Sequence, residues 1–577
     1  MITFGIHDGH MATACLIKNG QILACISEER LNRKKGWCGF PEKAIRKCLE
    51  ITGIDPREVD GVGIAGRIPP IKNYEGFNKP YGFRRVYSFG NYLVPKNILR
   101  SSLWVKPAVS ILSRFRNHKE IHKKLQSIGM MREPVFYDHH ELHALSAYAC
   151  SPFYESEGKT LVLTCDGSGD TVSATVNIGK GRKLDRIQTI SNYNSLGEFY
   201  TRITQYLGMK PLFDEYKVMG LAAYTSKQYS ESAYNKINNL IKINKNSLRF
   251  ENHSGQYKWQ YLKKLYKLLK DERFDSIAYA AQKLLERILK EWVTDCIKKT
   301  GIRRIVVSGG VFMNVKANYE IINLPEVESL WILPSCGDES LAIGAAMKCS
   351  KELGFNKFEP LKEIYFGPKY SNNEIKEIIE KYKDVFVIKE MNNIDHYLGK
   401  ELAKGKIIGR FTGRMEWGAR ALGNRSILTD PRNQRIIMKI NKSIKGRDFW
   451  MPFAPSILEE RSDNYFKTIK NFKSPYMIIA FPSLEKAREE IPAAIHPYDL
   501  SVRPQIVQKS WNPKYYMMLK SFEEETGIGG ILNTSFNLSG FPIVCSPSDA
   551  INVFLKSDLD SLALEDFYLV KRSNNKQ

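Results

Sequence analysis

The sequence lacks the paired cysteines and the long apolar segments that mark many secreted and membrane proteins, and we expect no leader. None of its ten cysteines belongs to a Cys-x-x-Cys pair, which argues against a cysteine zinc site or a disulfide framework. The N-terminus has no basic stretch followed by an apolar one, so no signal peptide is predicted. The long uncharged run from Thr526 to Ser548 is rich in Gly, Asn, Ser and Pro and predicts turns around short strands. We therefore expect a protein of the reducing cytoplasm with no membrane partner.

Length and charge limit the number of domains and the kinds of partner. A chain of 577 residues exceeds what one hydrophobic core usually supports, and we expect two domains. Basic residues outnumber acidic ones by 86 to 62, for a formal net charge of +24, and the excess has one focus at residues 81–134. Such a segment can follow phosphates or admit an acidic substrate, but a solvated, lysine-rich face on an inserted subdomain is the simpler explanation. A nucleic-acid partner is therefore not expected.

Three of the ten histidines lie within five residues, at His139, His140 and His143. The zinc-protease pattern His-Glu-x-x-His is absent, because only one residue separates Glu141 from His143. On a helix, His139 and His143 share a face at i and i+4 and can hold one metal ion, while His140 points about 100° away. Such pairs also occur on helix surfaces without a metal. The stretch predicts a metal site only if a third ligand comes from elsewhere.

Two strand-loop-strand units with an acidic loop indicate an internal duplication. The first forty residues predict a hairpin with its turn at Asn19-Gly20. A similar opening recurs at residues 160–184, where a strand runs into a glycine turn, Asp166–Asp170, that includes Gly167. The duplicated ATPase fold of actin, sugar kinases and Hsp70 places two such units on either side of a nucleotide. There the loop backbone approaches phosphate and the carboxylate holds a metal or water.

Two further turns follow buried strands. A strand ending at Ser308 is followed by Gly309, Gly310 and a helix, which suits the ribose and phosphates of a nucleotide, although a turn made only for packing gives the same pattern. The next strand ends near Pro334 and leads to Asp338 at the start of an alanine-rich helix. Asp338 is our candidate for the third metal ligand. Its alternative role is to cap that helix.

A cluster of Gly, Pro and Asn near residue 360 predicts the domain boundary, which divides the chain into residues 1–359 and 360–577. The second domain has an α/β pattern with four loop patches rich in Arg, Lys, Ser, Asn and Gly between apolar strands. Four such patches on one domain predict a site that holds several phosphate oxygens.

Over essentially its whole length the chain resembles the O-carbamoyltransferases of the NodU and antibiotic-biosynthesis family. The resemblance rests on motifs that occur in the family's order: SEERLNRKK, HHELHALSAY, DEYKVMGLAAY, SGGVFMNV, GDESLAIGAA, GRMEWGARALGNRSIL, MPFAPSIL and LNTSFNLSGFPIV. It implies an α/β protein whose N-terminal domain has the duplicated actin/sugar-kinase/Hsp70 ATPase-like fold of threonylcarbamoyladenosine-forming enzymes, followed by a YrdC-like domain. It also implies Fe(II), ATP with Mg²⁺, and carbamoyl phosphate as co-substrate.

The resemblance assigns roles to individual residues. His139, His143 and Asp338 match the family's iron ligands, and His10 matches the histidine that acts as base on the acceptor hydroxyl. Met11 stands where the family commonly has Asp, and Asp8 is our candidate for the orienting role of that residue.

Further candidates follow from the other motifs. Lys35 matches a basic position after Glu-Glu-Arg and is a catalytic candidate. The chain departs from the family at Ser539 and Phe541, where Arg and Glu are usual. Candidates for nucleotide binding in the first domain are Asp166, Gly167, Gly309, Gly310 and Asn314. Candidates for binding carbamoyl phosphate and ATP in the second domain are Arg414, Arg420, Lys445, Arg447, Arg503, Asn533 and Ser535.

The expected activity is ATP-dependent transfer of the carbamoyl group of carbamoyl phosphate, through carbamoyl adenylate, to a hydroxyl of a small-molecule acceptor. Two other functions stay open. A tRNA-modifying enzyme that makes threonylcarbamoyl adenylate would share both domain types and would use residues 81–134 for tRNA. A non-enzymatic, nucleotide-gated protein would use its charge of +24 for a nucleic acid. The domain order and the GRMEWGARALGNRSIL motif favour the carbamoyltransferase, and a homodimer is the assembly considered.

Overall fold

The chain folds into two compact units in a computed structural model, which describes residues 1–70, 95–245, 247–257 and 259–572. The first unit comprises Met1–Glu28 and Gly36–Leu361, and the second comprises Glu29–Lys35 and Lys362–Gln577. The division after Leu361 lies two residues from the predicted boundary. The short segment Glu29–Lys35 belongs to the second unit, although the prediction placed it in the first.

The first unit is built on two five-stranded sheets of the same topology. In each sheet the strand order is 3-2-1-4-5, the first three strands are antiparallel, and the last two are parallel to the first. Because one plan occurs twice, the predicted duplicated ATPase-like fold is confirmed. The strands of the first sheet are β1 Ile2–His7, β2 Thr13–Lys18, β3 Gln21–Ser27, β4 Gly61–Ala65 and β5 Pro134–Tyr137. The second sheet contains β6 Thr160–Gly169, β7 Val172–Lys180, β8 Lys183–Ser191, β11 Arg304–Ser308 and β12 Ser329–Ile332, and a separate hairpin contains β9 Ile241–Asn244 and β10 Arg249–Asn252.

The two predicted hairpins differ in detail from the structure. The opening has three strands, and Asn19 and Gly20, with φ of 49° and 80°, form the turn between β2 and β3. The glycine turn predicted at 166–170 was wrong in position, because β6 continues to Gly169 and the turn lies at Asp170 and Thr171. The register of β6 with β7 shifts between Cys165 and Gly169, so the residues around Asp166 leave the regular ladder.

Small residues allow helices to approach the sheets closely. The helices along residues 1–361 are α1 Glu29–Asn32, which belongs to the second unit, α2 Glu42–Thr52, α3 Lys96–Arg100, α4 Val105–Leu112, α5 His118–Gln126, α6 His139–Cys150, α7 Leu196–Tyr206, α8 Glu215–Leu221, α9 Lys227–Ile237, α10 Trp259–Leu269, α11 Phe274–Thr300, α12 Val315–Ile322 and α13 Leu341–Glu352. A Cβ at Gly5 of β1 would lie 1.9 Å from the carbonyl oxygen of Ala342 in α13, so only glycine permits this packing.

Residues 81–94 of the predicted basic segment lie outside the described residues. The remainder, residues 95–134, contains α3, α4 and α5 and enters β5. Lys106, Arg114 and Lys119 on this part are exposed, as expected for a solvated face, whereas Arg116 is buried.

The second unit is an α/β unit built on one mixed sheet of eight strands, in the order β13-β22-β21-β14-β15-β20-β16-β19. Its α/β class agrees with the prediction. The strands are β13 Phe386–Glu390, β14 Ile408–Phe411, β15 Arg425–Thr429, β16 Ala454–Leu458, β17 Phe481–Pro482, β18 Ser501–Val502, β19 Gln505–Val507, β20 Gly530–Ser535, β21 Ser561–Leu564 and β22 Phe567–Lys571. The helices are α14 Asn372–Ile379, α15 Ile394–Ala403, α16 Arg435–Ile440, α17 Ser462–Tyr465, α18 Glu485–Glu490, α19 Pro513–Thr526 and α20 Pro547–Leu555.

Apolar side chains such as Phe411, Leu532 and Phe554 form a buried core in the second unit. In the described part of the chain, no helix combines the length and the apolar character needed to cross a membrane.

Candidate functional site

Four side chains meet in the first unit: His139, His143, Asp166 and Asp338. One ligand atom from each lies within 4.8 Å of the others. His139 Nε2 is 3.1 Å from Asp166 Oδ2 and 3.6 Å from Asp338 Oδ1. His143 Nε2 is 3.6 Å and 3.7 Å from the same two oxygens. The structure thus brings together the three residues predicted as metal ligands, and Asp166, predicted to contact the nucleotide, joins them. We call these four residues the His/Asp centre.

Helix packing places the members of the centre. The side chain of Asp138 accepts a hydrogen bond from the Glu141 amide at 2.8 Å and caps α6, which then carries His139 and His143 one turn apart. A Cβ at Gly344 of α13 would lie 2.4 Å from the Leu142 carbonyl oxygen, so α6 and α13 touch at this point.

Asp338 begins the 3-10 turn, residues 338–340, that leads into α13. Among the described residues, no side-chain hydrogen bond caps this turn or α13, so the alternative helix-capping role of Asp338 is not observed.

The other ring atoms of the histidines explain their orientations. His143 Nδ1 lies 3.2 Å from the Ser340 hydroxyl and 3.4 Å from that of Ser308, which turns Nε2 toward the carboxylates. His140 is fully buried and contacts Thr164 Oγ1 at 2.8 Å and the Val172 carbonyl at 3.1 Å, so it ties α6 to the second sheet. As predicted, it points away from the pair.

The electrostatics of the centre favour a bound cation. Burial lowers the pKa of His139, but its hydrogen bond to Asp166 and the charge of Asp338 outweigh this and raise that pKa to about 9. Burial raises the pKa of Asp166, but the hydrogen bond with His139 and the nearby imidazole of His143 hold it well below its usual value. His143 Nε2 is buried and has no hydrogen-bond partner within the described residues. The two imidazoles and two carboxylates of the centre form a ligand set that fits a divalent transition-metal ion such as Fe(II).

The loop that carries His10 lies beside the His/Asp centre. His7 Nε2 is 2.9 Å from the His10 carbonyl oxygen and 3.7 Å from Asp338 Oδ2, and burial lowers the pKa of His7 to about 4. The ring of His10 meets Phe213 edge-on at 5.2 Å. The prediction missed His7. Its signal in the sequence is the spacing His-Asp-Gly-His, which places two imidazoles three residues apart at the end of a strand.

Asp8, predicted to orient His10, uses its carboxylate to accept a hydrogen bond from Arg116 Nη2 at 2.7 Å. The ring that contacts the His10 carbonyl oxygen belongs to His7. The sequence does not reveal the pairing of Asp8 with Arg116, because 108 residues separate the two.

The residues predicted to bind a nucleotide have three different environments. Gly309, with φ of 101°, would place a Cβ 2.3 Å from the Cys165 carbonyl oxygen, so glycine is required there for packing. The Gly310 amide donates to Asp166 Oδ1 at 3.2 Å, which links this turn to the His/Asp centre. Around Gly167, nothing lies within 4 Å of an added Cβ. The side chain of Asn314 caps α12 and forms hydrogen bonds with the Gln282 amide of α11, so it ties the start of α12 to α11.

Cationic side chains gather in the second unit. Burial lowers the pKa of Lys445 well below its usual value, and the charges of Arg447 and Lys35 lower it further. Burial also lowers the pKa of Arg503, together with the charges of Arg420 and Arg447. We call these five residues the cationic cluster. Lys445 is buried, the three arginines are half-buried and Lys35 is exposed. Like charges held this close together favour an anionic ligand.

Lys445 is anchored by two residues of the LNTSFNLSGFPIV motif, Ser535 and Asn537. Its ammonium donates to the carbonyl oxygen of Ser535, to Ser535 Oγ at 3.2 Å and to Asn537 Oδ1 at 2.9 Å. Ser535, predicted to bind carbamoyl phosphate or ATP, therefore lies beside the cationic cluster, and Asn537 was not predicted.

Two other predicted residues have contacts of a different kind. Arg414 donates to the carbonyl oxygens of residues 366 and 367 at 2.7 Å and 3.0 Å, which fastens the segment before α14. The amide of Asn533 donates to the carbonyl of Ala421 at 3.2 Å and to Ser456 Oγ at 3.0 Å inside the sheet. Both residues thus support the unit through backbone and core contacts.

Comparison with known proteins gives the family. The model of the carbamoyltransferase N-terminus matches residues 2–347, and that of the carbamoyltransferase C-terminus matches residues 399–571. An uncharacterized protein of Methanocaldococcus jannaschii is 37% identical over 534 residues, which cover 87% of this chain and 85% of that protein. The nodulation protein NolNO of Sinorhizobium fredii is 31% identical over 589 residues, which cover 98% of this chain and 79% of that protein.

Among solved structures, full-length HypF in its phosphate- and nucleotide-bound form is 13% identical with a TM-score of 0.35, over 62% of this chain and 56% of that chain. The N-terminal family model alone matches more than half of the sequence, in agreement with the motifs. The chain therefore belongs to the carbamoyltransferase family and is a transferase enzyme of that family.

Proposed function

We propose that the protein uses ATP to transfer the carbamoyl group of carbamoyl phosphate, through carbamoyl adenylate, to a hydroxyl of a small-molecule acceptor. The observation that carries this proposal is the cationic cluster in a member of the carbamoyltransferase family. Carbamoyl phosphate and ATP are both phosphate anions. Arginine and lysine side chains that are already held together bind such oxygens with little further reorganisation.

The first half-reaction belongs to the second unit in this proposal. Water cleaves carbamoyl phosphate to carbamate and phosphate. A carbamate oxygen then attacks the α-phosphorus of ATP, and the bond from that phosphorus to pyrophosphate breaks, which gives carbamoyl adenylate. Lys445, Arg447 and Arg503 stabilise the negative charge on the phosphate and carbamate oxygens. Ser535 and Asn537 hold the Lys445 ammonium in place.

The second half-reaction belongs to the first unit. The acceptor oxygen attacks the carbamoyl carbon, AMP leaves with the electron pair of the broken bond, and His10 takes the proton of the hydroxyl. A base is needed because the pKa of an alcohol lies far above 7. The backbone at Gly167, Gly309 and Gly310 provides the close approach that the phosphate of the adenylate requires.

His139, His143, Asp166 and Asp338 would hold the Fe(II) that the family resemblance implies, and the ion when bound supplies Lewis-acid polarisation of an oxygen of the adenylate. Asp8 and His7 keep the loop of His10 next to these residues. Carbamoyl adenylate is a mixed anhydride that water destroys, so its formation and its use must be closely coupled.

The test uses purified protein with ATP, Mg²⁺ and carbamoyl phosphate, in the absence of threonine and bicarbonate. We expect AMP and pyrophosphate that depend on carbamoyl phosphate. A requirement for threonine and bicarbonate would favour the tRNA-modifying alternative. No turnover, together with salt-sensitive binding of RNA or DNA, would favour the nucleotide-gated alternative.

A matched pair of variants locates the reaction. Lys445→Ala removes the buried ammonium and should lower the rate of AMP formation by at least about thirtyfold. Lys442→Ala removes an exposed ammonium from the same helical turn and should leave it unchanged. The acceptor is then sought among glucose, an aminoglycoside, a macrolide, a cephem and chitotetraose, by a gain of one carbamoyl group in mass.

A further inference from the structure

Arg116 is a buried arginine that the proposed reaction does not use. Its side chain is 2% exposed, whereas the neighbouring Arg114 is exposed. Its guanidinium lies 5.1 Å from the centre of the Phe136 ring. An arginine held away from water in this way is costly unless its donors are satisfied by well-placed acceptors. The acceptors therefore show what the residue holds together.

The guanidinium bridges two loops of the first sheet. Nη2 donates to Asp8 Oδ1 at 2.7 Å, and Nη1 donates to the Ile68 carbonyl oxygen at 3.2 Å. Asp8 lies in the loop after β1, two residues before His10. Ile68 lies in the loop after β4. A lysine at position 116 has one nitrogen in place of the two that reach these acceptors, and it lacks the fixed geometry of the guanidinium fork.

A second bridge continues from Ile68 to the helix of the metal ligands. The amide of Ile68 donates to Asp170 Oδ1 at 2.8 Å, and the amide of Arg67 donates to Asp170 Oδ2 at 3.0 Å. The same Oδ2 accepts the backbone amide of His139, also at 3.0 Å. A continuous path of hydrogen bonds thus runs from Asp8 through Arg116, Ile68 and Asp170 to the first residue of α6.

The loop at the Asp8 end of this path has a conformation that must be held. Met11 has φ of 60°, a region that a non-glycine residue seldom adopts. A Cβ at Gly9 would lie 2.7 Å from the His7 ring, so the loop passes that ring at close range. His7 fixes the loop on one side through the His10 carbonyl, and Arg116 fixes it on the other through Asp8.

We propose that Arg116 is a positioning residue that holds the His10 loop in register with the helix that carries His139 and His143. The role of the described part of the basic segment 81–134 is then to supply the Arg116 guanidinium that bridges Asp8 and Ile68. The functional part of the inference rests on the proposed function, in which His10 is the base. The structural part concerns the His10 loop alone and can be measured without any reaction.

Hydrogen–deuterium exchange measures the structural part. The variants are Arg116→Gln, Arg116→Lys and the exposed control Arg114→Gln. In Arg116→Gln we expect at least tenfold faster exchange of the amides of Ala12, Arg67 and Ile68, because their loops open locally while the domain stays folded. Exchange in the second unit should not change. Arg116→Lys, which keeps only one of the two contacts, should be intermediate, and Arg114→Gln should match the wild type.

Turnover measures the functional part. Formation of AMP from ATP and carbamoyl phosphate by Arg116→Gln should stay within about twofold of the wild type. Carbamoyl transfer to whichever compound of the acceptor panel the wild type modifies should fall by about ten- to a hundredfold, which does not exceed the usual contribution of a positioned base. Partial rescue of transfer by Arg116→Lys is expected.

Two results would overturn the inference. One is wild-type exchange in the loops of residues 8–12 and 66–70 of Arg116→Gln. The other is faster exchange throughout the first unit, which would make Arg116 a general stabilising residue; if Arg116→Gln does not fold, the same comparison is made with Arg116→Lys. Absence of carbamoyl-phosphate-dependent AMP in the wild type would refute the proposed function, and the exchange data would still decide the role of Arg116.

Discussion

Binding of a metal ion to the His/Asp centre should release a proton. A histidine binds a metal only in its neutral form, so a protonated ligand must first lose its proton. Burial lowers the pKa of His139, but the hydrogen bond to Asp166 and the charge of Asp338 raise it to about 9. Because this pKa lies above the ordinary value for histidine, the imidazole is charged in the metal-free protein at neutral pH.

The size of the effect follows from this pKa. At pH 7, two units below it, about 1% of His139 is neutral, and removal of the proton costs about 2.7 kcal/mol. The apparent affinity for a divalent ion should therefore fall about tenfold for each pH unit between 9 and 7. In the metal-free protein the raised pKa of His139 stabilises the folded state at low pH, where metal binding is weakest. Its stabilisation is fully present below the unfolded pKa of about 6.5 and is lost as pH rises through 9.

The assay is calorimetric titration with Co(II) at pH 7.5 in two buffers that differ in ionisation enthalpy. We expect the release of about one proton per ion in the wild type. Asp166→Asn removes the carboxylate that accepts from His139 Nε2, so the pKa of His139 should fall toward its ordinary value and the release should drop below about half a proton. An affinity that is constant between pH 7 and 9, with no proton released, would refute the assignment of His139 as a ligand in this electrostatic environment.

Three further predictions follow from the two sites. The double variant His139→Ala/His143→Ala should lose bound iron and carbamoyl transfer while keeping its circular dichroism spectrum, because two ligands leave one helix face; full metal content would contradict the assignment. Lys445→Ala or Arg503→Ala should lower the formation of AMP by an amount equivalent to about 2 to 4 kcal/mol, and unchanged rates in both would move that reaction elsewhere. His10→Asn should leave AMP formation intact and slow transfer by about a hundredfold, and equal loss of both half-reactions would exclude His10 as the base.

The duplicated fold was predictable because it depends on local patterns that occur twice. The strand and turn signals at Asn19-Gly20 and around Asp166 and the glycines after Ser308 each specify short-range structure. Helical spacing alone placed His139 and His143 on one face, and the strand-turn-helix pattern selected Asp338. The family motifs then supplied the roles that these positions alone leave open.

The remaining features depend on contacts between distant parts of the chain. Asp166 joins the His/Asp centre because the register of β6 shifts there, and a sequence pattern that predicts a turn cannot predict that shift. Arg116 meets Asp8 across 108 residues, and nothing in a basic, aromatic segment distinguishes the one arginine that is buried. Asn314 and Arg414 are residue types that are common in ligand-binding loops. In the structure, Asn314 caps a helix and Arg414 donates to a backbone carbonyl.

The most direct test of the account follows the carbamoyl group itself. Purified protein is incubated with ATP, Mg²⁺, isotopically labelled carbamoyl phosphate and the hydroxylated acceptor panel, and the products are identified by mass spectrometry. We expect one acceptor that carries the labelled carbamoyl group on oxygen, with one AMP formed for each transfer, and both products reduced by at least about thirtyfold in the Arg503→Ala variant. Labelled acceptor that forms without ATP, or AMP that forms without carbamoyl phosphate, would contradict it.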